Sequence, residues 1–368
     1  MYRCTDDYGK RHTVYAPTLK ELREKEKKLQ KDIADGMSIT NGNITVSELL
    51  QIYFESNKKW KLSTICAKEH KIDVINRYPI SKLKISEVKI SNIKSFYLDL
   101  NGKGIKTRTI MGYHHVLRPA FEIAVQDDWI RKNPCQFKLD FLPSDSKSTH
   151  ILTQEQEIQF LQFVKETKSL AWYYDIYILM LETGMRLGET LGITLSDIDL
   201  NKRKISINRQ LCVSSIEINN KSNWYIETLK TENGQRDIYI SDKAYQSLVR
   251  LIARRNEETP VEIIIDQHSG FLLKTHKQSK IVTRSMINYN LSKAIKLYNY
   301  SHKEQLPLLT PHSLRHTFCT RMIEKGIDIK SLQYIMGHAD VKMTLDIYTH
   351  MTGDVAMERM KSAIEYPM

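Results

Sequence analysis

A polar joint near the middle of the chain limits the folds that are available to it. The stretch FKLDFLPSDSKSTH, residues 137–150, is polar, extended in pattern and interrupted by a proline. This composition is typical of a linker between two folded parts. At 368 residues the chain is also longer than one typical domain. We therefore expect at least two folded halves, one on each side of this joint.

The first half begins with a small module over residues 1–36. Residues 1–16 alternate in the manner of two β-strands, and the sequence DDYG at 6–9 is typical of the hairpin turn between them. A helix is expected next, because Thr18 and Glu21 have the spacing of an N-terminal capping box. Two short strands and one helix make a small module with little core, so we expect its stability to depend on a partner or on a further strand.

Residues 45–137 predict a helical domain. Thr45 and Glu48 have the spacing of a second capping box. A long helix is expected from about Lys106 to Trp129, since apolar residues recur there along one stripe.

The second half, residues 150–368, is expected to be mostly helical with a few strands. Thr153 and Gln156 predict a capped helix at its start. Three β-like runs follow, with the sequences RKISINRQL, NWYIETLK and QRDIYIS. The pair Asn233-Gly234 lies between the last two runs and is a strong hairpin signal, so these two runs are expected to pair. The predicted fold class is mainly α with small β-sheets (α+β).

The charge balance indicates the kind of partner. The net charge is +12 at neutral pH, and such a basic chain favours a polyanion, most commonly nucleic acid. No predicted helix is basic on one side and strongly apolar on the other, which argues against a membrane partner. The five cysteines are scattered and never form a CxxC pair. This pattern predicts a protein of the reducing cytoplasm, without a disulfide framework or a bound metal.

The candidate chemistry lies in the second half. The segment TPHSLRHTFCTRMIEKG predicts a helix with Pro311 at its first position and Gly326 just after its end. His312 and Arg315 are three residues apart on this helix and therefore share a face. A histidine can transfer a proton, and an arginine can bind two phosphate oxygens. Further candidates on either side of this helix are Arg186, Lys230, His338 and Tyr348.

Taken singly, the further candidates have ordinary explanations. Arg186 with Glu189 three residues later resembles a surface ion pair, a lysine near a turn is usually solvated, and Tyr348 follows an aliphatic turn that suggests burial. Their order along the chain is much more informative. The segments TGMRLGE, HSLRHTFCT and IMGHADVKMTLDIYTH resemble the catalytic motifs of tyrosine recombinases, also called phage-type integrases. The resemblance covers essentially the whole chain and is most similar to the integrases of conjugative transposons.

This resemblance implies exchange of DNA phosphodiesters without ATP or a metal ion. Arg186 and Arg315 would hold the oxygens of the pentavalent transition state, because a planar guanidinium can bind two of them at once. His338 would donate a hydrogen bond to the same oxygens. Tyr348 would attack phosphorus to form a 3′-phosphotyrosyl intermediate, and Lys230 would protonate the leaving sugar oxygen.

Two further residues are expected to assist. His312 is the candidate base for the tyrosine. Glu189 would either orient Arg186 or support its helix, and we favour support.

The resemblance also implies how DNA is held. Residues 1–36 would bind arm sites, 45–137 would form a SAM-like core-binding domain, and 150–368 would form the catalytic domain. Relatives carry a further strand before the first module, so this module is expected to be truncated or weak in its arm contact. The basic residues expected to contact DNA, each also explicable as a solvated charge, are Arg3, Lys10, Arg11, Lys106, Arg108, Arg131, Lys132, Lys202 and Arg203.

Several alternatives stay open. A type IB topoisomerase would use similar residues, and a regulator built on an inactive integrase would bind DNA without cutting it. The expected assembly is a homo-tetramer on paired sites of double-stranded DNA, together with an excisionase-type directionality factor in the bacterial nucleoid. The amphipathic segment 353–368 is expected either to pack on its own domain or to exchange into a neighbouring protomer.

Overall fold

The chain forms two compact units, Met1–Lys147 and Ser148–Met368, and their boundary falls within the polar joint. Each unit has a hydrophobic core of its own. No helix in the part of the chain described below is long and apolar enough to cross a membrane. The computed structural model describes residues 1–5, 11–34, 43–57, 59–145, 151–218, 222–229, 234–257, 262–275 and 280–348.

The first unit begins with a two-stranded hairpin and a helix, as predicted. Strand β1 (Tyr2–Thr5) pairs antiparallel with β2 (Arg11–Val14), and helix α1 covers Leu19–Ala34. The Gln30 amide on α1 donates a hydrogen bond of 2.9 Å to the Tyr2 hydroxyl, which ties the hairpin to the helix. The predicted turn at 6–9 lies outside the described residues.

A helical domain makes up the rest of the first unit. The Thr45 capping box is present, because the Glu48 amide donates to the Thr45 hydroxyl and the Glu48 carboxylate accepts from the Thr45 amide. The long helix predicted from Lys106 to Trp129 is observed as α5, and its apolar stripe is buried. The four α-helices of this domain are α2 (Val46–Glu55), α3 (Leu62–Asn76), α4 (Ile90–Gly102) and α5 (Thr107–Gln126).

The second unit is mostly helical, and its largest core surrounds the buried helix α7. Its described helices are α6 (Gln154–Glu166), α7 (Tyr174–Thr183), α8 (Leu187–Leu191), α9 (Asp242–Glu257), α10 (Arg284–Ser301), α11 (Pro311–Glu324), α12 (Ile329–Met336) and α13 (Val341–Tyr348). Its described strands are β3 (Ile198–Asp199), β4 (Lys204–Ile207), β5 (Arg209–Ile218), β6 (Ser222–Thr228) and β7 (Arg236–Tyr239). The predicted fold class, mainly α with small sheets, is confirmed.

The predicted pairing of the last two β-like runs is wrong. Strand β6 pairs with β5, whereas β7 pairs with β4 in a sheet of order β3–β4–β7. The reason is that β5 continues to Ile218, so β6 returns directly along it after a short connection. Ile205 and Ile238 are opposite each other and both buried, which places β4 and β7 over the same core.

Local capping signals place the elements that carry the site. Thr153 caps α6 in a reciprocal box with Gln156, as predicted. Pro311 is at the first position of α11, as predicted, and Thr310 caps this helix. Helix α12 ends at Gly337, whose φ of 60° lies in the left-handed region that favours glycine. The segment 353–368 lies outside the described residues.

Candidate active site

Two guanidinium groups converge on the turn that ends α12. Arg315 on α11 is 1% exposed; its Nη1 donates to the Gly184 carbonyl at 2.7 Å, and its Nη2 donates to the Met336 carbonyl. Arg186 immediately precedes α8 and keeps a side chain that is 34% exposed. Its Nη2 donates to the Gly337 carbonyl at 2.8 Å. The end of α12 therefore fixes both groups, one buried and one open to solvent.

Glu189 is a buried carboxylate that holds Arg186 in place. It accepts hydrogen bonds of 2.8 Å from both the backbone amide and the Nη1 of Arg186. Burial alone would raise the pKa of Glu189, but the hydrogen bonds and charge of Arg236, followed by the charge of Arg186, hold that pKa below its usual range. Glu189 thus stays ionised, caps α8 and orients the Arg186 side chain.

Arg236 is the second partner of Glu189, and sequence reasoning did not assign it a role. Its side chain is 0% exposed, and its Nη2 lies 2.8 Å from the Glu189 carboxylate. Its Nε donates to the Ile335 carbonyl at 2.6 Å, and its Nη1 donates to the Gly234 carbonyl at 3.0 Å. The sequence does indicate that Arg236 is buried. Side chains two residues apart on a strand face the same side, and Arg236 is two residues before the apolar Ile238 on the buried side of β7.

The turn after α12 cannot accept a larger residue. A Cβ added to Gly337 would lie 2.7 Å from Nη1 of Arg236 and 3.4 Å from Nη1 of Arg186. Glycine is therefore favoured here for two reasons: it adopts the left-handed backbone conformation, and it leaves room for two guanidinium groups.

His338 follows this turn and is also buried, at 4% exposure. Its Nδ1 lies 2.9 Å from the hydroxyl of Thr344 on α13. Burial, followed by the charges of Arg315 and Arg186, lowers the pKa of His338 to about 3. The imidazole is therefore neutral at pH 7, with one nitrogen that donates and one that accepts.

The lowered pKa of His338 predicts how stability depends on pH. The unfolded state binds a proton near pH 6.5 and the folded state does not, so stability is complete above that value. It is then lost as the pH falls from about 6.5 towards about 3. Urea unfolding between pH 7 and pH 4 will test this, with His338→Gln as the comparison. The wild type should lose more stability than the variant over this range, and parallel losses would contradict the prediction.

A cavity of about 360 Å³ opens beside the two arginines, at the start of α11. His312 is an exposed residue at its rim, and its ring meets that of His316 edge to face at 4.3 Å between centroids. Partial burial, followed by the charges of Arg315 and Arg186, lowers the pKa of His312, which favours the neutral form that can accept a proton. The residues that line the cavity are Arg186, Leu187, Gly188, Gln210, Arg284, Asn288, Thr310, Pro311, His312 and Arg315.

Comparison with known proteins decides the family. The profile of the phage integrase family matches residues 150–354, and that of the phage integrase SAM-like domain matches residues 45–140. The chain is 36% identical over 375 residues to the transposase from transposon Tn916 of Enterococcus faecalis, covering 98% of this chain and 91% of that relative. The chain belongs to the phage integrase family. It is a tyrosine recombinase, similar to those of conjugative transposons.

Solved structures agree with this assignment. The Tn1549 transposon integrase in complex with a circular intermediate DNA is 34% identical, with a TM-score of 0.79 over 86% of this chain and 99% of that one. A lambda integrase tetramer bound to a Holliday junction, 16% identical with a TM-score of 0.57, shares the fold.

The structure brings together part of the catalytic set predicted for this recombinase. Arg186, His312 and Arg315 line one cavity, and His338 is held beside the two arginines. Lys230 lies outside the described residues, as does the side chain of Tyr348, whose backbone ends α13. Three cavity residues that sequence reasoning missed are Gln210, Arg284 and Asn288.

Most basic residues predicted to contact DNA are exposed on the recombinase. Arg203 differs, because its guanidinium forms a 2.6 Å ion pair with Asp242 and lies 4.5 Å from the centroid of the Tyr245 ring. Lys10 lies outside the described residues. The exposed candidates are Arg3, Arg11, Lys106, Arg108, Arg131, Lys132 and Lys202.

Proposed function

We propose that this recombinase integrates and excises a mobile genetic element by cutting and rejoining DNA strands through a 3′-phosphotyrosyl intermediate. The observation that carries the proposal is the convergence of Arg186 and Arg315 on one turn, next to the neutral imidazole of His338. Such a set of fixed donors suits a phosphorus whose oxygens gain negative charge.

The two arginines keep donors for the phosphate. Arg315 uses one N–H of each terminal nitrogen on the Gly184 and Met336 carbonyls. Arg186 uses its terminal nitrogens on Glu189 and Gly337. A guanidinium carries more N–H groups than these, so each arginine can also bind a phosphate oxygen.

The reaction exchanges one phosphoester for another. The Tyr348 oxygen forms a bond to phosphorus, the bond from phosphorus to the 5′ oxygen breaks, and His312 takes the phenol proton. Lys230 gives a proton to the departing 5′ oxygen, and His338 donates a hydrogen bond to a phosphate oxygen. The 5′-hydroxyl of the partner strand then gives its proton to Lys230 and attacks the phosphotyrosine, and the released Tyr348 oxygen takes its proton back from His312. The bond energy is conserved, so the mechanism requires neither ATP nor a cofactor.

The proposed partners are double-stranded DNA and further copies of the recombinase. The Tn1549 integrase has been solved with a circular intermediate DNA and with transposon right end DNA, which supports element ends as the substrate. We assign arm binding to residues 1–36, core-site binding to 45–137 and catalysis to 150–368. The tetramer on paired sites, the excisionase-type factor and action at the bacterial nucleoid belong to the same proposal.

The test is covalent capture of DNA. A nicked, labelled duplex carrying the element end is incubated with the recombinase in EDTA and then denatured in SDS. We expect a labelled band of protein size that Tyr348→Phe abolishes, because phenylalanine lacks the nucleophilic oxygen. Tyr300→Phe is the control, since Tyr300 is 93% exposed and on α10, and it should form the band normally.

Other outcomes would indicate a different nucleophile or a different function. A band that persists in Tyr348→Phe would assign the nucleophile to another residue. Specific binding without any band would favour the inactive regulator, and relaxation of plasmids that lack paired sites would favour the topoisomerase.

A further inference from the structure

The hydroxyl of Thr344 makes an unusual contact for a buried threonine on a helix. Three other threonines that are buried in helices or at their ends, Thr183, Thr190 and Thr317, each donate the hydroxyl proton to the carbonyl four residues earlier. Thr344 is 0% exposed, and the one partner of its hydroxyl among the described residues is Nδ1 of His338 at 2.9 Å. The Thr344 hydroxyl is therefore bonded to the imidazole and not to a carbonyl of its own helix.

This contact selects one form of the imidazole. His338 is neutral, so one ring nitrogen carries hydrogen and the other accepts. If Nδ1 carried the hydrogen, the buried Thr344 hydroxyl would have no acceptor among the described residues, which is costly. If Nδ1 accepts, the hydroxyl is satisfied and the hydrogen of the imidazole lies on Nε2. No hydrogen bond from a described residue to that Nε2 is found, so its N–H keeps its donor capacity within this part of the chain.

We propose that Thr344 is a positioning residue that fixes His338 in the form that donates from Nε2. The inference rests on the proposed function, in which His338 donates to an oxygen of the reacting phosphate. Thr344 acts through His338 and does not touch the DNA itself.

The position of Thr344 adds a consequence for the order of events. It lies on α13, one helical turn before Tyr348, and α13 packs against α11 and α12. The packing of α13 therefore positions the helix that carries Tyr348 and, through Thr344, also selects the form of the His338 imidazole. Without α13 in this position the hydrogen bond would be absent and both forms of the imidazole would be available, so the phosphate would lack a fixed donor.

The test compares two substitutions that separate the hydroxyl from the packing. Thr344→Val keeps the shape of the side chain and removes the hydroxyl, whereas Thr344→Ser keeps the hydroxyl and removes a methyl. The first measurement is the cleavage rate on the nicked duplex in a single turnover. We expect about a 10–100-fold loss in Thr344→Val, by analogy with the loss seen when the hydrogen-bond partner of a metal-binding histidine is removed. Thr344→Ser should stay close to the wild-type rate.

The second measurement reports the imidazole directly. Nitrogen spectra of the protein labelled with ¹⁵N-histidine, assigned with His338→Phe, should show hydrogen on Nε2 in the wild type and in Thr344→Ser. Thr344→Val should show a mixture of both forms. Thr344→Ala replaces Thr344→Val if the latter does not fold. In a His338→Phe background, Thr344→Val should cause no further loss of rate, because its effect passes through the imidazole.

These measurements separate this inference from the proposed function. Equal rates in Thr344→Val and Thr344→Ser, or an unchanged form of His338 in Thr344→Val, would overturn the inference even if Tyr348→Phe abolishes the covalent band. Absence of that band in the wild type would overturn the proposed function. The nitrogen spectra would still show whether Thr344 determines which ring nitrogen of His338 carries the hydrogen.

Discussion

Arg236→Met is expected to destabilise the second unit by about 3–5 kcal/mol, the typical cost of leaving one partner of a buried ion pair without the other. The Glu189 carboxylate would keep Arg186 but lose the two hydrogen bonds that Arg236 donates to it. The carbonyls of Ile335 and Gly234 would lose their donor as well. Because both Arg186 and the end of α12 depend on these contacts, DNA cleavage should fall together with stability.

Urea unfolding of the full chain measures this effect, and the chain offers a matched control. Lys204 and Asp237 form an ion pair of 3.0 Å whose side chains are 40% and 50% exposed. Lys204→Met should cost less than about 1 kcal/mol, because solvent screens an exposed pair. Adding Glu189→Gln to Arg236→Met should recover part of the loss, since it removes the unpaired charge. Equal losses in Arg236→Met and Lys204→Met would contradict the buried-pair interpretation.

Arg315→Lys is expected to reduce the cleavage rate by about 10²–10³-fold, the loss typical when one transition-state donor is removed. Lysine keeps the positive charge, so the attraction between protein and DNA should change little. It cannot bind two oxygens side by side, and its single nitrogen cannot replace the guanidinium between the Gly184 and Met336 carbonyls. The loss of rate therefore measures the contribution of the guanidinium geometry separately from the contribution of its positive charge.

The rate should be measured in a single turnover on the nicked duplex, with DNA binding measured separately. Arg284→Lys is the matched control, because Arg284 lines the same cavity but is exposed at the start of α10. It should stay within a few-fold of the wild-type rate. A thermal unfolding curve of Arg315→Lys must show that the variant is folded at the assay temperature. A rate equal to that of Arg284→Lys in a folded variant would remove Arg315 from the proposed chemistry.

Much of the fold was predictable from signals between near neighbours. Thr45 and Thr153 cap the helices that their sequences indicate, because a capping residue and its partner are only three positions apart. The spacing of His312 and Arg315 likewise places both on one side of α11, and the structure puts both in the wall of one cavity.

The pairing of the strands was not predictable in this way. The Asn233-Gly234 signal indicated a hairpin between β6 and β7, yet each of these strands pairs with a different neighbour. A turn signal reports only a local preference of the backbone, whereas the buried contact of Ile205 with Ile238 depends on the whole core.

By itself, the sequence determined the helices, their caps, the basic character of the chain and the motifs of its family. The tertiary structure alone decided which groups meet at the site. Arg236 reaches Glu189 across 47 residues and Arg315 reaches the Gly184 carbonyl across 131. Helical periodicity and capping act within a few residues, so they can be read along the chain. A buried charge finds its partner only after distant segments have packed together, and that packing selects the contacts of Arg186, Arg315 and His338.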